Sequence, residues 1–312
     1  MSKLKFISIV FIDIGSFVGN CLVILVITST RNLNLPQNYL LISLTCVDLL
    51  LSLISMPIYI MTSILNERWI LGFQACRLFM ICDVVLSCAS ILNLCAISID
   101  RYIALFYPIR YKFNRNKHLM ALFLGSCFLS MLISTPLLFL KRYDIYKHLE
   151  KDVYVCIMPF NKPFISLVLI FGYYLPVTIL IYTNCCICLK LHTSLIQSSK
   201  KLSVFNGDLS DAVKMMSING YSSRLISKDI ILSLTICSTV MATILCWTPF
   251  YLILSISMIM TNSDLEMIKE KSMWLGYLNS VINPIIYNFI NSDFQRRVLN
   301  ILKTRRNTNP SS

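Results

Sequence analysis

The chain has 312 residues, of which 56% are hydrophobic and 14% charged, with a mean hydropathy of +0.69. A soluble domain carries about 25% charged residues, so this composition excludes a soluble globular protein, while 8 glycines and 10 prolines exclude a collagen-like or disordered chain. The net charge of +13 falls in short gaps between apolar runs, which points to phospholipid headgroups and away from nucleic acid as the partner.

Apolar runs long enough to cross a bilayer occupy about 4–30, 38–64, 73–106, 119–140, 163–190, 230–260 and 270–290. Seven helices are predicted; the alternating segments of a membrane β-barrel are missing. The first run follows Lys3 and Lys5, but it is too long for a signal-peptide core and lacks a small-residue cleavage motif, so it reads as a span. It carries Asp13, an acid with no evident partner in the sequence. The second run carries Asp48. The third carries Asp83 and, 18 residues later, Arg101. Eighteen steps make five full turns, which sets both side chains on one helix face about 27 Å apart, near the thickness of the hydrocarbon core. Ser87 and Ser90 share that stripe, and Asn93 lies beside it.

The longest connection, 191–229, is rich in Ser, Asn and Gly from Ser203 to Ser223 and reads as a mobile cytoplasmic segment. The sixth run contains Cys246-Trp247-Thr248-Pro249-Phe250-Tyr251, and the seventh contains Trp274 through Ser280 followed by Asn283-Pro284-Ile285-Ile286-Tyr287. Beyond it, Asp293-Phe294-Gln295-Arg296-Arg297-Val298 places apolar and basic side chains at helical spacing, as a short amphipathic helix on the inner leaflet would. The organisation expected is therefore an all-α bundle over 1–290, then an amphipathic helix and tail over 291–312. With the N-terminus outside, 17 of the 28 Lys and Arg residues fall in inner segments, which favours N-out, C-in.

Three groups carry chemistry. A charge inside lipid costs at least a few kcal/mol, and an ionised Asp83 needs a cation or several donors. Trp247, Phe250 and Tyr251 bring three rings to one level. With an acid at similar depth they suit an ammonium, through ion pairing and cation–π contact. Pro249 frees a carbonyl and kinks its helix, making a hinge. Asp48 with Ser90, Asn279 and Asn283 forms an oxygen-rich set of the kind that holds a small cation such as sodium. Of 13 cysteines, only Cys76 and Cys156 lie near polar outer loops, so one disulfide is expected. No zinc-ligand spacing occurs. Cys185, Cys186 and Cys188 end an apolar run, where packing or palmitoylation is expected rather than a metal. His118, His148 and His192 lie in or near loops without a catalytic partner, so no enzyme active site is expected.

Gly19-Asn20, Leu44 through Asp48, Cys76, Asp100-Arg101-Tyr102, Pro176, Cys246-Trp247-Thr248-Pro249 and Asn283-Pro284-x-x-Tyr287 together resemble the signatures of rhodopsin-like G-protein-coupled receptors over essentially the whole chain. That resemblance implies a plasma-membrane bundle that activates heterotrimeric G proteins, a Cys76–Cys156 disulfide, and a switch built from Asp100, Arg101, Tyr102 and Tyr287, with Asp229 pairing Arg101. Within the family the chain is most similar to the biogenic amine receptors. Asp83 matches their ammonium-binding carboxylate, and Trp274-x-Gly276-Tyr277 matches their seventh-helix signature, so Asp83, Ser87, Trp247, Phe250, Tyr251, Trp274 and Tyr277 are the expected ligand residues. A receptor for a peptide or other non-amine ligand is the alternative. Opsins keep a lysine where Tyr277 stands.

The departures are Cys127 for a fourth-helix tryptophan, Thr243 for a phenylalanine and Asn184 for a tyrosine, the last two in the activation machinery. Val168, Leu169 and Gly172 stand where catecholamine receptors carry serines. An apolar wall there would strand ring hydroxyls at a cost of about 1–3 kcal/mol each, so an amine with few or none is expected.

Overall fold

The computed structural model describes residues 3–29, 38–66, 68–139, 155–156, 161–203, 209–260, 263–290 and 294–299. Seven long helices account for nearly all of them. α1 is Lys3–Thr28. α2 runs as Asn38–Leu50, a π-helical turn at Leu51–Ser55, and Met56–Ile64. α3 is Gly72–Phe106 and α4 is Pro108–Ser134, with a short extension Pro136–Phe139. α5 runs as Lys162–Leu167, a π-helical turn at Val168–Tyr174, and Leu175–Ser203. α6 is Leu209–Ser257 and α7 is Ser263–Ile290.

The first six are long and apolar enough to cross a bilayer. α7 falls below that threshold because Asn279, Asn283 and Asn288 dilute its apolar residues, yet it packs along both α1 and α6. The chain is thus a multi-pass membrane protein. Burial sets the layout: 78% of the apolar core of α3 is buried, against 28% for α1 and α4, so α3 runs through the centre and the other two face outward. The exposed apolar rings of Phe11, Phe17 and Phe128 belong to those outward faces.

Two expectations need correcting. The 191–229 connection is helical over 191–203 and 209–229, continuing α5 and α6 beyond their apolar runs. α4 begins at Pro108 rather than near 119. Proline at the first helical position is preorganised, and Arg110, Lys112, Arg115 and Lys117 are tolerated because this end reaches the headgroups.

Polar side chains bind the helices where no hydrophobic force acts between them. Asn20 donates to the Ser280 carbonyl at 3.0 Å, joining α1 to α7. Gly19 lets the two backbones meet there, since a Cβ would lie 3.0 Å from the Pro284 ring. Asn93 accepts from Ser43 at 3.2 Å and from Ser126 at 2.9 Å, tying α2, α3 and α4. At the end where α3 begins, Cys76 and Cys156 are disulfide-bonded. Residues 294–299 form a further helical turn, and Phe294 packs with Val23, Val26, Ile27 and Tyr287 across the C-terminal ends of α1 and α7. This agrees with the amphipathic segment expected there.

Candidate functional site

Asp83 lies a third of the way along α3 and is only 8% exposed. Tyr277 of α7 donates to its Oδ1 at 2.6 Å, and Tyr59 of α2 reaches Oδ2 at 3.4 Å. Among the described residues no lysine or arginine pairs with the carboxylate, in contrast to Asp100 deeper in the same helix. Asp83 opens onto a cavity of about 650 Å³ walled by Ser87 and Cys88 of α3, Trp247, Phe250 and Tyr251 of α6, and Trp274 and Tyr277 of α7. The rings interlock edge to face: Trp247 stands 6.2 Å from Tyr277 and 6.1 Å from Phe250, and Trp274 stands 5.6 Å from Tyr277. All seven expected ligand residues therefore line one cavity. Gly276 is required here because a Cβ would lie 2.6 Å from the Trp247 ring.

The α5 wall differs from expectation. Val168 faces the cavity, joined by Phe164 and Ile165. Leu169 and Gly172 do not line it. The π-helical turn starting at Val168 shifts the register, and Gly172 is pressed on α3, where a Cβ would lie 2.9 Å from Cys88 Sγ. The wall remains apolar. Tyr59 was missed from sequence; a hydroxyl inside a charge-free run was the available signal. Tyr173, also missed, pairs with Thr248 and stacks on Tyr251 at 4.1 Å, joining α5 to α6.

Below this cavity, Asp48 is fully buried. Its Oδ1 accepts from Ser90 at 3.1 Å and Ser280 at 3.0 Å, and its Oδ2 accepts from Asn283 at 3.0 Å. Three helices thus meet at one carboxylate. Asn279, expected in the cluster, instead accepts from Thr243 of α6 at 2.9 Å, and Ser280 takes its place at the carboxylate. The cause is angular: Ser280 lies three residues before Asn283 on the face turned to α2, whereas Asn279 is rotated 100° toward α6. Thr243 thereby gains a role that its departure from the family pattern left open.

Near the C-terminal end of α3, Arg101 pairs with Asp100 at 2.9 Å, and Tyr111 of α4 donates to the same carboxylate at 2.8 Å. Tyr102 stacks on Phe106 at 4.5 Å and faces Tyr182 at 6.4 Å. Asn184 donates to Ser98 at 3.3 Å, so it couples α5 to α3 where a tyrosine was expected. The Asp229 side chain lies outside the described residues. Asp13 keeps one buried oxygen without a hydrogen-bond partner among them.

A seven-helix membrane bundle with a disulfide at one end, a central carboxylate in an aromatic cavity and an arginine–aspartate pair at the other end is the architecture of a transmembrane receptor. The family model for 7 transmembrane receptors (rhodopsin family) matches residues 19–287, and the chain belongs to that family. It is 29% identical to the octopamine receptor beta-2R of Chilo suppressalis, an alignment spanning 97% of this chain and 80% of the relative. It is 26% identical to 5-hydroxytryptamine receptor 7 of Xenopus laevis, across 94% of this chain and 75% of the relative. It is 30% identical to the alpha-1A adrenergic receptor of Oryzias latipes, across 94% of this chain and 65% of the relative.

Proposed function

We propose that this chain is a G-protein-coupled receptor of the plasma membrane, opened by an extracellular small biogenic amine. The observation that carries the reading is Asp83: a buried carboxylate held by two tyrosine hydroxyls, without a cationic partner among the described residues, at one wall of an aromatic cavity. A protonated amine supplies the missing charge, and the surrounding rings offer cation–π contact to its methylene groups. The printed names of the relatives, receptors for octopamine, 5-hydroxytryptamine and adrenergic ligands, support an amine over a peptide. The excess of Lys and Arg in the inner segments supports an N-terminus outside the cell.

The mechanism follows from which helices the ligand touches. An ammonium on Asp83 and Tyr277 draws α3 toward α7, while the ligand body leans on Trp247, Phe250 and Tyr251 of α6. Contacts that improve in the active arrangement shift the population toward it. Pro249 lies between those rings and is the natural pivot. Swinging the inner half of α6 outward opens the face on which Arg101 sits, and Arg101 leaves Asp100 to engage a heterotrimeric G protein.

The Asp48 cluster fits a small hard cation. Carboxylate, hydroxyl and amide oxygens converge there, and Asn283 Oδ1 is buried without a hydrogen-bond partner among the described residues. Sodium held by Asp48, Ser90, Ser280 and Asn283 would fasten α2, α3 and α7 together in the resting arrangement.

The test is the Asp83→Asn receptor in a panel of arylethylamines. Stranding the ammonium without its counter-charge costs about 3–5 kcal/mol, so amine potency should fall about 100- to 4,000-fold with surface expression retained. Unchanged potency would refute the amine reading.

A further inference from the structure

The inner halves of α5 and α6 touch through sulfur. Cys188 Sγ and Cys237 Sγ are 3.4 Å apart, and Cys237 also approaches Asn184 Oδ1 at 3.5 Å. The pair is level with the arginine switch. Asn184 meets Ser98 of α3, Arg101 is one turn further in from Ser98, and Cys188 is one turn further in from Asn184. Cys188 is exposed and Cys237 partly so. We propose that Cys188 and Cys237 form an oxidisable dithiol whose disulfide clamps α6 to α5 and holds the receptor inactive.

A disulfide places its sulfurs about 2.05 Å apart, so the two Sγ atoms, now 3.4 Å apart, must draw together to bond. Cys237 precedes Trp247 by ten residues, about three turns, so it lies in the inner half of the membrane-crossing part of α6, Ile230–Ser257, the part that must move for Arg101 to be reached; the outer half is already fastened to α5 through Tyr173–Thr248 and Tyr174–Ser255. The oxidant is a small neutral peroxide, able to enter the bilayer. The more exposed Cys188 sulfur attacks the peroxide oxygen, the O–O bond breaks, and a sulfenic acid and an alcohol or water result. Cys237 sulfur then attacks the sulfenic sulfur; the S–S bond forms, the S–O bond breaks, and the departing hydroxide leaves as water with the second thiol proton. Two thiols lose two electrons and two protons, and one peroxide is reduced. The clamp rests on the receptor reading above for its consequence, but not for its formation.

The experiment uses full-length receptor in lipid nanodiscs, with a protease site placed in the connection between α5 and α6. The sample is treated with tert-butyl hydroperoxide, free thiols are blocked with N-ethylmaleimide, and the chain is cleaved and run without reductant. Cys76–Cys156 lies wholly within the first fragment, so the fragments stay joined only through a bond across the cut. Joined fragments should rise about tenfold on oxidation and vanish in both Cys188→Ser and Cys237→Ser. Oxidised wild type should melt several degrees above oxidised Cys188→Ser, and its amine-stimulated nucleotide exchange on G protein should drop at least fivefold while that of oxidised Cys188→Ser is unchanged. Fragments that separate after oxidation, or that stay joined in Cys188→Ser, overturn the dithiol. Joined fragments with undiminished exchange, or with no rise in melting temperature, overturn the clamp. If untreated wild type answers no amine, the receptor reading fails, whereas joining and melting still decide the dithiol and its hold on the helices.

Discussion

At the scale of single residues, the site depends on how closely side chains crowd the floor of the cavity. Gly276 has no room for a methyl group: its Cβ would stand 2.6 Å from Trp247 Cε3. Overpacking of this kind costs about 1–3 kcal/mol, and the indole that must shift is itself a wall of the cavity. Gly276→Ala is therefore expected to lower the melting temperature of the detergent-solubilised receptor and to weaken amine potency together. A variant that melts like wild type would mean that the ring moves freely. The same crowding explains what the sequence disclosed of this site. Asp83 and Tyr277 were legible because an acid and a tyrosine inside apolar runs are conspicuous and matched a family signature. Tyr59 was not, because its approach to Asp83 depends on how α2 packs on α3. Leu169 and Gly172 were assigned to the cavity wall by their correspondence to the serine positions of catecholamine receptors, and the π-helical turn of α5 runs through both.

At the scale of helices, the Asp48 cluster joins α2, α3 and α7 through three hydrogen bonds to one carboxylate. If a sodium ion sits among these oxygens, replacing N-methylglucamine chloride by sodium chloride at equal ionic strength should raise the melting temperature of the wild type. Asp48→Asn should show no such rise, since a neutral amide lacks the charge that draws the ion in. A sodium effect that survives the substitution would place the ion elsewhere. Helix number, order and approximate limits could be read from hydropathy, because lipid leaves the backbone no alternative to internal hydrogen bonding. Helix continuation past the membrane could not: once the flanking phase is water, hydropathy no longer distinguishes a helix from a loop. That is why 191–203 and 209–229 looked like a loop. Asn279 and Ser280 show a further limit, since adjacent polar residues differ by 100° in direction and only packing decides which of them meets Asp48.

At the scale of the whole molecule, one covalent link ties the outer end of α3 to the stretch between α4 and α5, closing a loop across 80 residues. Removing a native disulfide typically costs about 2–5 kcal/mol. Cys76→Ser and Cys156→Ser should each reduce receptor at the cell surface, as measured by labelling of an outer epitope tag, and the double variant should be no worse than either single one. Additive losses would show that the two cysteines act separately. The low hydropathy of α7 has a consequence of another kind, in how the protein is made. A helix carrying Asn279, Asn283 and Asn288 enters lipid poorly by itself, because each amide loses water without gaining a partner. Its partners are Thr243 on α6 and Asp48 on α2, both synthesised before it. When 263–290 is fused alone behind a reporter of membrane insertion, most of it should fail to integrate, and integration should recover when the preceding helices are present. The seventh helix would then be received into the membrane by the other six, so that completion of the cation cluster and completion of the membrane topology are one event in biosynthesis.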